Sequence, residues 1–173
     1  YLFVNTCTVT SEADRKSKQT VNKAGRAQKQ VAVMGCGPRV DINGWQQQAE
    51  GALVFNNDSE MLAHFGIESD EAQMPLSSRT RLPVAIQTGC DNECSFCITR
   101  IARGAHRSLP LEGIVRQVNQ SFDHGIKEIV LTGINLAAWG CENSNQPEQA
   151  RLHQVIEAIL EQTEMPRIRL SSL

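Results

Sequence analysis

Apolar positions along the chain alternate between short continuous runs and longer stretches in which they recur every three or four residues. The short runs at residues 2–4, 31–35 and 52–55 are typical of buried strands. Between them the pattern predicts helices: one capped by Thr10 or Ser11 and ending near residue 30, one at residues 41–50, and one capped by Asp58 and ending near residue 65. Strands that alternate with helices predict a parallel sheet.

The second half of the chain repeats this alternation after a stretch without periodicity. Strands are predicted at residues 83–87, 126–132 and 167–170. Pro110 takes the first position of a helix that stops at Gly125. The apolar stripes of two helices comprise Leu111, Ile114, Val115, Val118 and Phe122 in the first, and Leu152, Val155, Ile156, Ile159 and Leu160 in the second. We therefore expect a domain at residues 1–72, a linker at 73–82 and a second domain at 83–173.

Composition narrows the class of protein. The 173 residues are 40% hydrophobic, which excludes a disordered chain, and a net charge of −2 excludes a globally basic nucleic-acid coat. No apolar run is long enough to span a membrane and no signal peptide opens the chain, so we expect a cytoplasmic protein without a membrane partner. The chain opens on Tyr1 and stops at Leu173 within an apolar run, and we expect it to be part of a longer protein.

Three of the six cysteines crowd into eight residues. Cys90, Cys94 and Cys97 have the spacing C-x3-C-x2-C on a loop that follows a predicted strand. Three soft thiolates at this spacing suit an iron–sulfur cluster, and a four-iron cluster held by three ligands leaves one iron open to a small molecule. The alternative is a zinc site with His106 as the fourth ligand.

This loop resembles the signature of the radical S-adenosylmethionine (SAM) superfamily, CxxxCxxC, with Phe96 as the aromatic residue before the last cysteine. The resemblance implies a 4Fe–4S cluster on the three cysteines and SAM on the open iron, cleaved to a 5′-deoxyadenosyl radical. It implies a (β/α) partial barrel, of which residues 83–173 are the first part, behind an amino-terminal parallel-sheet α/β domain. Phe96 then lies against the adenine of SAM, or it fills the core.

Two further segments resemble the methylthiotransferase branch of that superfamily. The motifs are NTCTVTSEADRKS around Cys7 and MGCGPR around Cys36. The resemblance implies that these cysteines bind a second 4Fe–4S cluster, whose remaining ligand we expect upstream of Tyr1. Without the resemblance, both cysteines are interpreted as small core residues.

The resemblance also suggests contacts to SAM. Thr132, Gly133 and Asn135 follow a predicted strand, where the superfamily contacts the methionine end of SAM; the alternative is an ordinary turn. Arg103, with Arg100 and Arg107 nearby, suits the SAM carboxylate or tRNA phosphates; the alternative is a solvated arginine.

The stretches ARGAHRS, EIVLTGIN and IRLSSL look most like the branch that methylthiolates C2 of N6-threonylcarbamoyladenosine beside the tRNA anticodon. That reading implies a tRNA substrate, a reductant such as flavodoxin or ferredoxin, and no activity in this chain alone. The chain departs from the family at Thr99, Arg100 and Ile101, so isopentenyladenosine in tRNA and a ribosomal-protein aspartate stay open as substrates. A non-catalytic iron–sulfur electron carrier or a zinc RNA-binding module is the alternative from another class.

Overall fold

The computed structural model describes residues 1–67, 80–141 and 151–171. The chain divides into two compact units: Tyr1–Ala72 with Ser95–Arg103, and Gln73–Cys94 with Gly104–Leu173. Both units are mixed α/β with parallel strands, which confirms the predicted fold class. Within the described ranges, no helix is both long and apolar enough to cross a membrane.

The first unit is built on a parallel sheet in the order β1–β2–β3. Its elements are β1 (Leu2–Thr6), α1 (Ser11–Arg26), β2 (Val31–Gly35), α2 (Cys36–Val40), α3 (Ile42–Gln48), β3 (Leu53–Val54), α4 (Asp58–His64) and, from the later segment, α5 (Thr99–Arg103). β1 and β2 pair in register from Leu2 opposite Val31 to Thr6 opposite Gly35. Equivalent residues of the two strands therefore reach the carboxyl edge together.

Helix α1 begins where the sequence predicts. The Thr10 hydroxyl accepts a hydrogen bond from the backbone N–H of Ala13 at 3.2 Å, as an N-cap does. The helix ends at Arg26, earlier than predicted, because the chain turns at Gln28, whose φ is +53°. Its apolar side contributes to a core of Val4, Val21, Ala24, Val31, Val33, Trp45 and Ala49.

Two details of the first unit differ from the sequence prediction. The cap of α4 is Asn57, whose side-chain oxygen accepts from the N–H of Glu60 at 2.8 Å, and Asp58 is the first helical residue. The sequence pattern does not predict helix α2, because its five residues include a glycine and a proline and carry no helical apolar stripe. It places Cys36 at the start of a helix rather than in a loop.

The second unit has a parallel sheet in the order β4–β7–β8 and a small antiparallel pair, β5–β6, among the described residues. Its elements are β4 (Arg81–Ala85), β5 (Gln87–Thr88), β6 (Arg107–Ser108), α6 (Leu111–Asp123), β7 (Glu128–Thr132), a 3₁₀ turn (Leu136–Ala138), α7 (Leu152–Gln162) and β8 (Ile168–Leu170). Strand β4 begins inside the range assigned to the linker, and residues 73–79 of that linker lie outside the described residues.

The core of the second unit joins the parallel sheet to α6 and α7. Its fully buried members include Val84, Ile86, Ile114, Val118, Ile129, Leu131, Val155 and Ile159. The predicted stripe of α7 is wrong at Leu160, which is 66% exposed, because the helix turns Ala158 toward the core instead. Pro110 precedes α6 as its N-cap rather than opening its first turn.

Candidate cofactor-binding sites

Cys7 and Cys36 each come directly after one of two paired parallel strands. Thr6 at the end of β1 pairs with Gly35 at the end of β2, so the two cysteines follow the last pair of the ladder. Neighbouring parallel strands lie about 4.8 Å apart. The register therefore brings these two predicted ligands to the same edge of the sheet.

The Thr6 side chain fixes this edge. Its buried hydroxyl donates to the Met34 carbonyl and accepts from the Gly37 N–H, both at 2.8 Å. One side chain of β1 thus joins the end of β2 to the first turn of α2. The backbone on both sides of Cys36 is held in place by bonds from Thr6, the residue that precedes Cys7.

The glycines on either side of Cys36 allow this close approach. Gly35 has φ +98°, and a Cβ built on it would lie 2.6 Å from the Thr6 carbonyl oxygen. A Cβ on Gly37 would lie 2.7 Å from Cε2 of Trp45 and 2.8 Å from Oγ1 of Thr6. No larger residue fits at either position without displacing backbone or a buried indole.

The two thiols differ in exposure. Cys7 is exposed and Cys36 is buried, and both are free. Burial agrees with the alternative that Cys36 is a small core residue, whereas an exposed Cys7 does not fit that alternative. Their role as metal ligands stays a prediction.

The other three predicted ligands lie on the irregular segment between β5 and α5. Cys94 is exposed, Cys90 and Cys97 are half-buried, and all three are free thiols. The start of this segment is fixed by a bond from the Cys90 N–H to the Gly104 carbonyl at 3.1 Å. Gly89, at φ +72°, packs so closely against the Ala105 carbonyl that a Cβ would overlap it. Only glycine suits this entry to the cysteine segment.

Cys97 has the clearest electrostatic feature of the segment. Hydrogen bonds from the Thr99 hydroxyl and then from the Thr99 backbone lower the pKa of the Cys97 thiol below its ordinary value. A hydrogen bond to the charged form stabilises the thiolate, which is the form that binds metals. Thr99 is one of the positions at which the chain departs from the methylthiotransferase pattern.

The donor chemistry of these cysteines fits an iron–sulfur cluster. Free, accessible thiols on an irregular segment are the ligands that such clusters take. In the ranges that the structure describes, no group of three or more His, Cys, Asp or Glu side chains stands in metal-binding geometry. The assignment of the cluster to Cys90, Cys94 and Cys97 therefore rests on their spacing and chemistry.

Two predicted SAM contacts on this segment are open to solvent. Phe96 is 90% exposed, so the alternative that it fills the core is wrong, and its contact with adenine stays a prediction. Arg103, the last residue of α5, is also exposed, which agrees with both of its interpretations.

The predicted contacts at the end of β7 and in the loop after it lie beside Gln87, a residue that sequence reasoning missed. The amides of Ile134 and Asn135 both donate to Oε1 of Gln87 at 2.8 Å, and a Cβ on Gly133 would lie 2.9 Å from the same oxygen. Thr132 donates from its hydroxyl to the Val84 carbonyl at 3.2 Å. The signal for Gln87 was a lone polar residue at the end of an apolar run; it is 4% exposed.

His106 has both ring nitrogens engaged, which argues against the zinc alternative. Nδ1 lies 2.9 Å from Gln87 Nε2, a pure donor, so Nδ1 accepts and the ring carries its proton on Nε2. Nε2 then donates to the Ser108 hydroxyl at 3.0 Å. A histidine binds zinc through the lone pair of an unprotonated ring nitrogen, and in His106 that lone pair, on Nδ1, already accepts a hydrogen bond from Gln87.

Two family models match the chain. Residues 1–56 match the uncharacterized protein family UPF0004 and residues 84–172 match the radical SAM superfamily. Three closely spaced free cysteines inside the radical SAM match indicate an iron–sulfur protein. The chain belongs to the radical SAM superfamily. This membership implies SAM and a 4Fe–4S cluster as cofactors.

Curated relatives extend the match over nearly the whole chain. A threonylcarbamoyladenosine tRNA methylthiotransferase MtaB of Rickettsia prowazekii is 29% identical over 98% of this chain and 44% of its own length. The Bacillus subtilis protein of the same name is 34% identical over 98% of this chain and 42% of its own length. A Xenopus laevis threonylcarbamoyladenosine tRNA methylthiotransferase is 31% identical over 80% of this chain and 29% of its own length. The chain thus spans less than half the length of these relatives.

Proposed function

We propose that this chain belongs to a tRNA methylthiotransferase that adds a methylthio group to C2 of N6-threonylcarbamoyladenosine beside the anticodon. The observation that carries the proposal is the C-x3-C-x2-C segment after β5, inside a radical SAM match that covers residues 84–172. The relatives named for this reaction align with both units of the chain. The proposed domains are residues 1–72 and 83–173, joined by a linker at 73–82, and strand β4 begins at Arg81, within the last residues of that linker.

Cys90, Cys94 and Cys97 hold the radical-generating cluster in this proposal. When bound, the cluster and SAM together supply reductive cleavage of the sulfonium and a radical able to remove hydrogen from an inert carbon. The protein's own part is placement. Gly89 fixes the entry to the cysteine segment, and the Thr99 hydroxyl favours the thiolate of Cys97.

The same proposal assigns the SAM contacts. Exposed Phe96 is available to cover the adenine, and exposed Arg103 is available for an anionic group of SAM or of tRNA. Thr132, Gly133 and Asn135 contact the methionine end, at a loop that Gln87 holds in place.

Cys7 and Cys36 bind two corners of a second 4Fe–4S cluster. Support comes from the β1–β2 register, which brings both residues to one edge, and from the UPF0004 match that covers them. The resemblance to methylthiotransferases implies that this cluster holds or donates the sulfur atom that becomes the methylthio group. The proposal also includes a tRNA substrate, a reductant such as flavodoxin or ferredoxin, and a cytoplasmic location.

Anaerobic reconstitution of the full-length gene product tests the proposal. We expect iron and sulfide for 4Fe–4S clusters, a spectrum that changes when SAM is added, and formation of 5′-deoxyadenosine under reducing conditions. One tightly held zinc ion without SAM cleavage would instead identify the zinc RNA-binding module, and clusters that ignore SAM would identify an electron carrier.

The substrate is tested separately by nucleoside mass spectrometry of cells that lack the gene. We expect the methylthio form of threonylcarbamoyladenosine to vanish while its unmodified precursor accumulates. Loss of methylthio-isopentenyladenosine, or of a ribosomal-protein modification, would assign the chain to another branch of the same family.

A further inference from the structure

Gln87, the first residue of β5, forms hydrogen bonds through both ends of its side-chain amide. It is 4% exposed, and all of its polar partners belong to the second unit. Its five hydrogen-bond contacts, two accepted by Oε1 and three made by Nε2, join three separate segments of the chain.

The partners of the amide determine which way it points. Oε1 accepts from the N–H groups of Ile134 and Asn135, both at 2.8 Å, and only an oxygen can occupy that position. Nε2 therefore faces the opposite side. It shares its two hydrogens among the carbonyls of Thr88 at 2.9 Å and Gly89 at 2.7 Å and the ring of His106 at 2.9 Å.

Glycines make room for the amide on both sides. A Cβ on Gly133 would lie 2.9 Å from Gln87 Oε1 and 3.1 Å from Gln87 Cβ. On the other side Gly89 offers its carbonyl while its own backbone packs against Ala105. The amide is thus enclosed by backbone, and a shorter or longer side chain cannot reach both sets of partners.

Further hydrogen bonds hold both the ring and the backbone of His106 in place. Its Nε2 donates to the Ser108 hydroxyl at 3.0 Å, and that hydroxyl accepts from the Gly140 N–H at 3.0 Å. The His106 backbone N–H donates to Asp91, one residue after Cys90, at 3.0 Å. Gln87 therefore belongs to a network that includes the cysteine segment, β6 and the loop after β7.

We propose that Gln87 is a positioning residue that holds the start of the cysteine segment in fixed register with the Gly133–Asn135 loop. The inference rests on the proposed function, in which the first segment carries the cluster and the second contacts SAM. Gln87 touches neither cofactor in this proposal. It sets the geometry in which SAM meets both segments, so its loss weakens SAM binding more than it weakens cluster binding.

Two variants of the full-length protein test the separate roles of the Gln87 carbonyl oxygen and NH₂ group. Gln87→Met removes donor and acceptor at nearly equal volume. Gln87→Glu keeps an oxygen for Ile134 and Asn135 but turns another oxygen toward the Thr88 and Gly89 carbonyls. Ser121→Ala is the matched control, because Ser121 is fully buried on α6, donates to the Gln117 carbonyl at 2.6 Å, and is remote in sequence from both segments.

The first measurement is hydrogen exchange of peptides that cover residues 133–136, without added cofactor. Because each lost bond shifts a local equilibrium modestly, we expect exchange about threefold to tenfold faster in Gln87→Met, and little change in Gln87→Glu or Ser121→Ala. Unchanged exchange in Gln87→Met would overturn the claim that the amide holds this loop.

The second measurement is SAM titration of the anaerobically reconstituted proteins, followed by electron paramagnetic resonance of the reduced cluster. We expect wild-type iron content in both Gln87 variants, a SAM dissociation constant raised about threefold to tenfold, and a changed SAM-induced signal. A merely structural role would lower melting temperature and iron content and leave the SAM affinity of the loaded fraction unchanged, as we expect for Ser121→Ala.

The outcomes distinguish this inference from the proposed function. If the wild-type cluster does not respond to SAM, the proposed function fails and this inference fails with it. If the wild type responds and Gln87→Met binds SAM with the same affinity and signal, only the positioning role of Gln87 is refuted.

Discussion

Both cysteine-bearing regions place candidate ligands after β-strands, but the strands constrain the cysteines to different degrees. In the first unit, Cys7 and Cys36 come directly after paired strands, so the ladder itself determines where they lie. After β5, Cys90 follows a two-residue strand, and Cys94 and Cys97 lie on an irregular segment. One set of candidate ligands is built into a sheet and the other is carried by a loop.

The supports of the two regions differ accordingly. The sheet edge near Cys36 depends on the Thr6 hydroxyl and on two glycines, Gly35 and Gly37, at which a Cβ would clash with neighbouring atoms. The cysteine segment depends on a buried amide and on single bonds such as that from the His106 N–H to Asp91. We therefore expect damage to the first region to lower the stability of its whole unit, and damage to the cysteine segment to disturb mainly the geometry of the cofactor site.

The largest expected effect is loss of SAM cleavage in Cys94→Ala. Without one of three thiolates the cluster lacks a ligand, so we expect 5′-deoxyadenosine formation by the full-length protein to fall about 100-fold or more. The measurement is chromatographic quantification of 5′-deoxyadenosine under anaerobic reducing conditions. Cys141→Ala is the control, since this buried cysteine lies outside every motif; equal losses in both variants would contradict the assignment.

Cys7→Ala is expected to separate cleavage from product formation. If Cys7 binds only the second cluster, 5′-deoxyadenosine formation stays within about twofold of wild type while methylthio product is lost. Both products are measured in the same reaction on tRNA. A variant that makes wild-type amounts of methylthio product would refute the second-cluster role of Cys7.

Gly35→Ala tests whether the first region is built into its sheet. The positive φ and the clash with the end of β1 predict a loss of about 2–4 kcal/mol in the free energy of unfolding. Urea denaturation followed by circular dichroism measures it. In Gly25→Ala, the matched change on α1, the new Cβ meets no atom within 4 Å, and we expect a gain of up to about 1 kcal/mol. Similar changes in the free energy of unfolding for Gly35→Ala and Gly25→Ala would contradict the claim that the edge near Cys36 is built into its sheet.

The smallest expected effect belongs to Asp91→Ala in the cysteine segment. This change removes one partly exposed hydrogen bond, to the His106 N–H, so we expect a loss of only about 0.5–1 kcal/mol. The same urea denaturation assay measures this loss in the free energy of unfolding. A loss as large as that of Gly35→Ala would mean that the cysteine segment is as integral to its unit as the sheet edge is to the first.

Much of the fold was predictable from periodicity. The stripe of α6 and the cap at Thr10 are local patterns, and the structure confirms both. Predictions were wrong where local signals competed: Asn57 and Asp58 are both good caps, and Leu160 fitted a stripe whose buried position Ala158 takes. Neither case can be decided without knowing which side of the helix meets the core.

The sequence by itself determined the alternation of strands and helices, the cysteine spacings and the family, because these are patterns of neighbouring residues. Only the tertiary structure decided that Cys7 and Cys36 share an edge through the β1–β2 register, that Phe96 is exposed, and that His106 has no free nitrogen. It alone identified Gln87, whose partners Ile134 and Asn135 are 47 and 48 residues away. A hydrogen bond between a side chain and distant backbone leaves no periodic trace, so folding has to bring the two together before it can be seen.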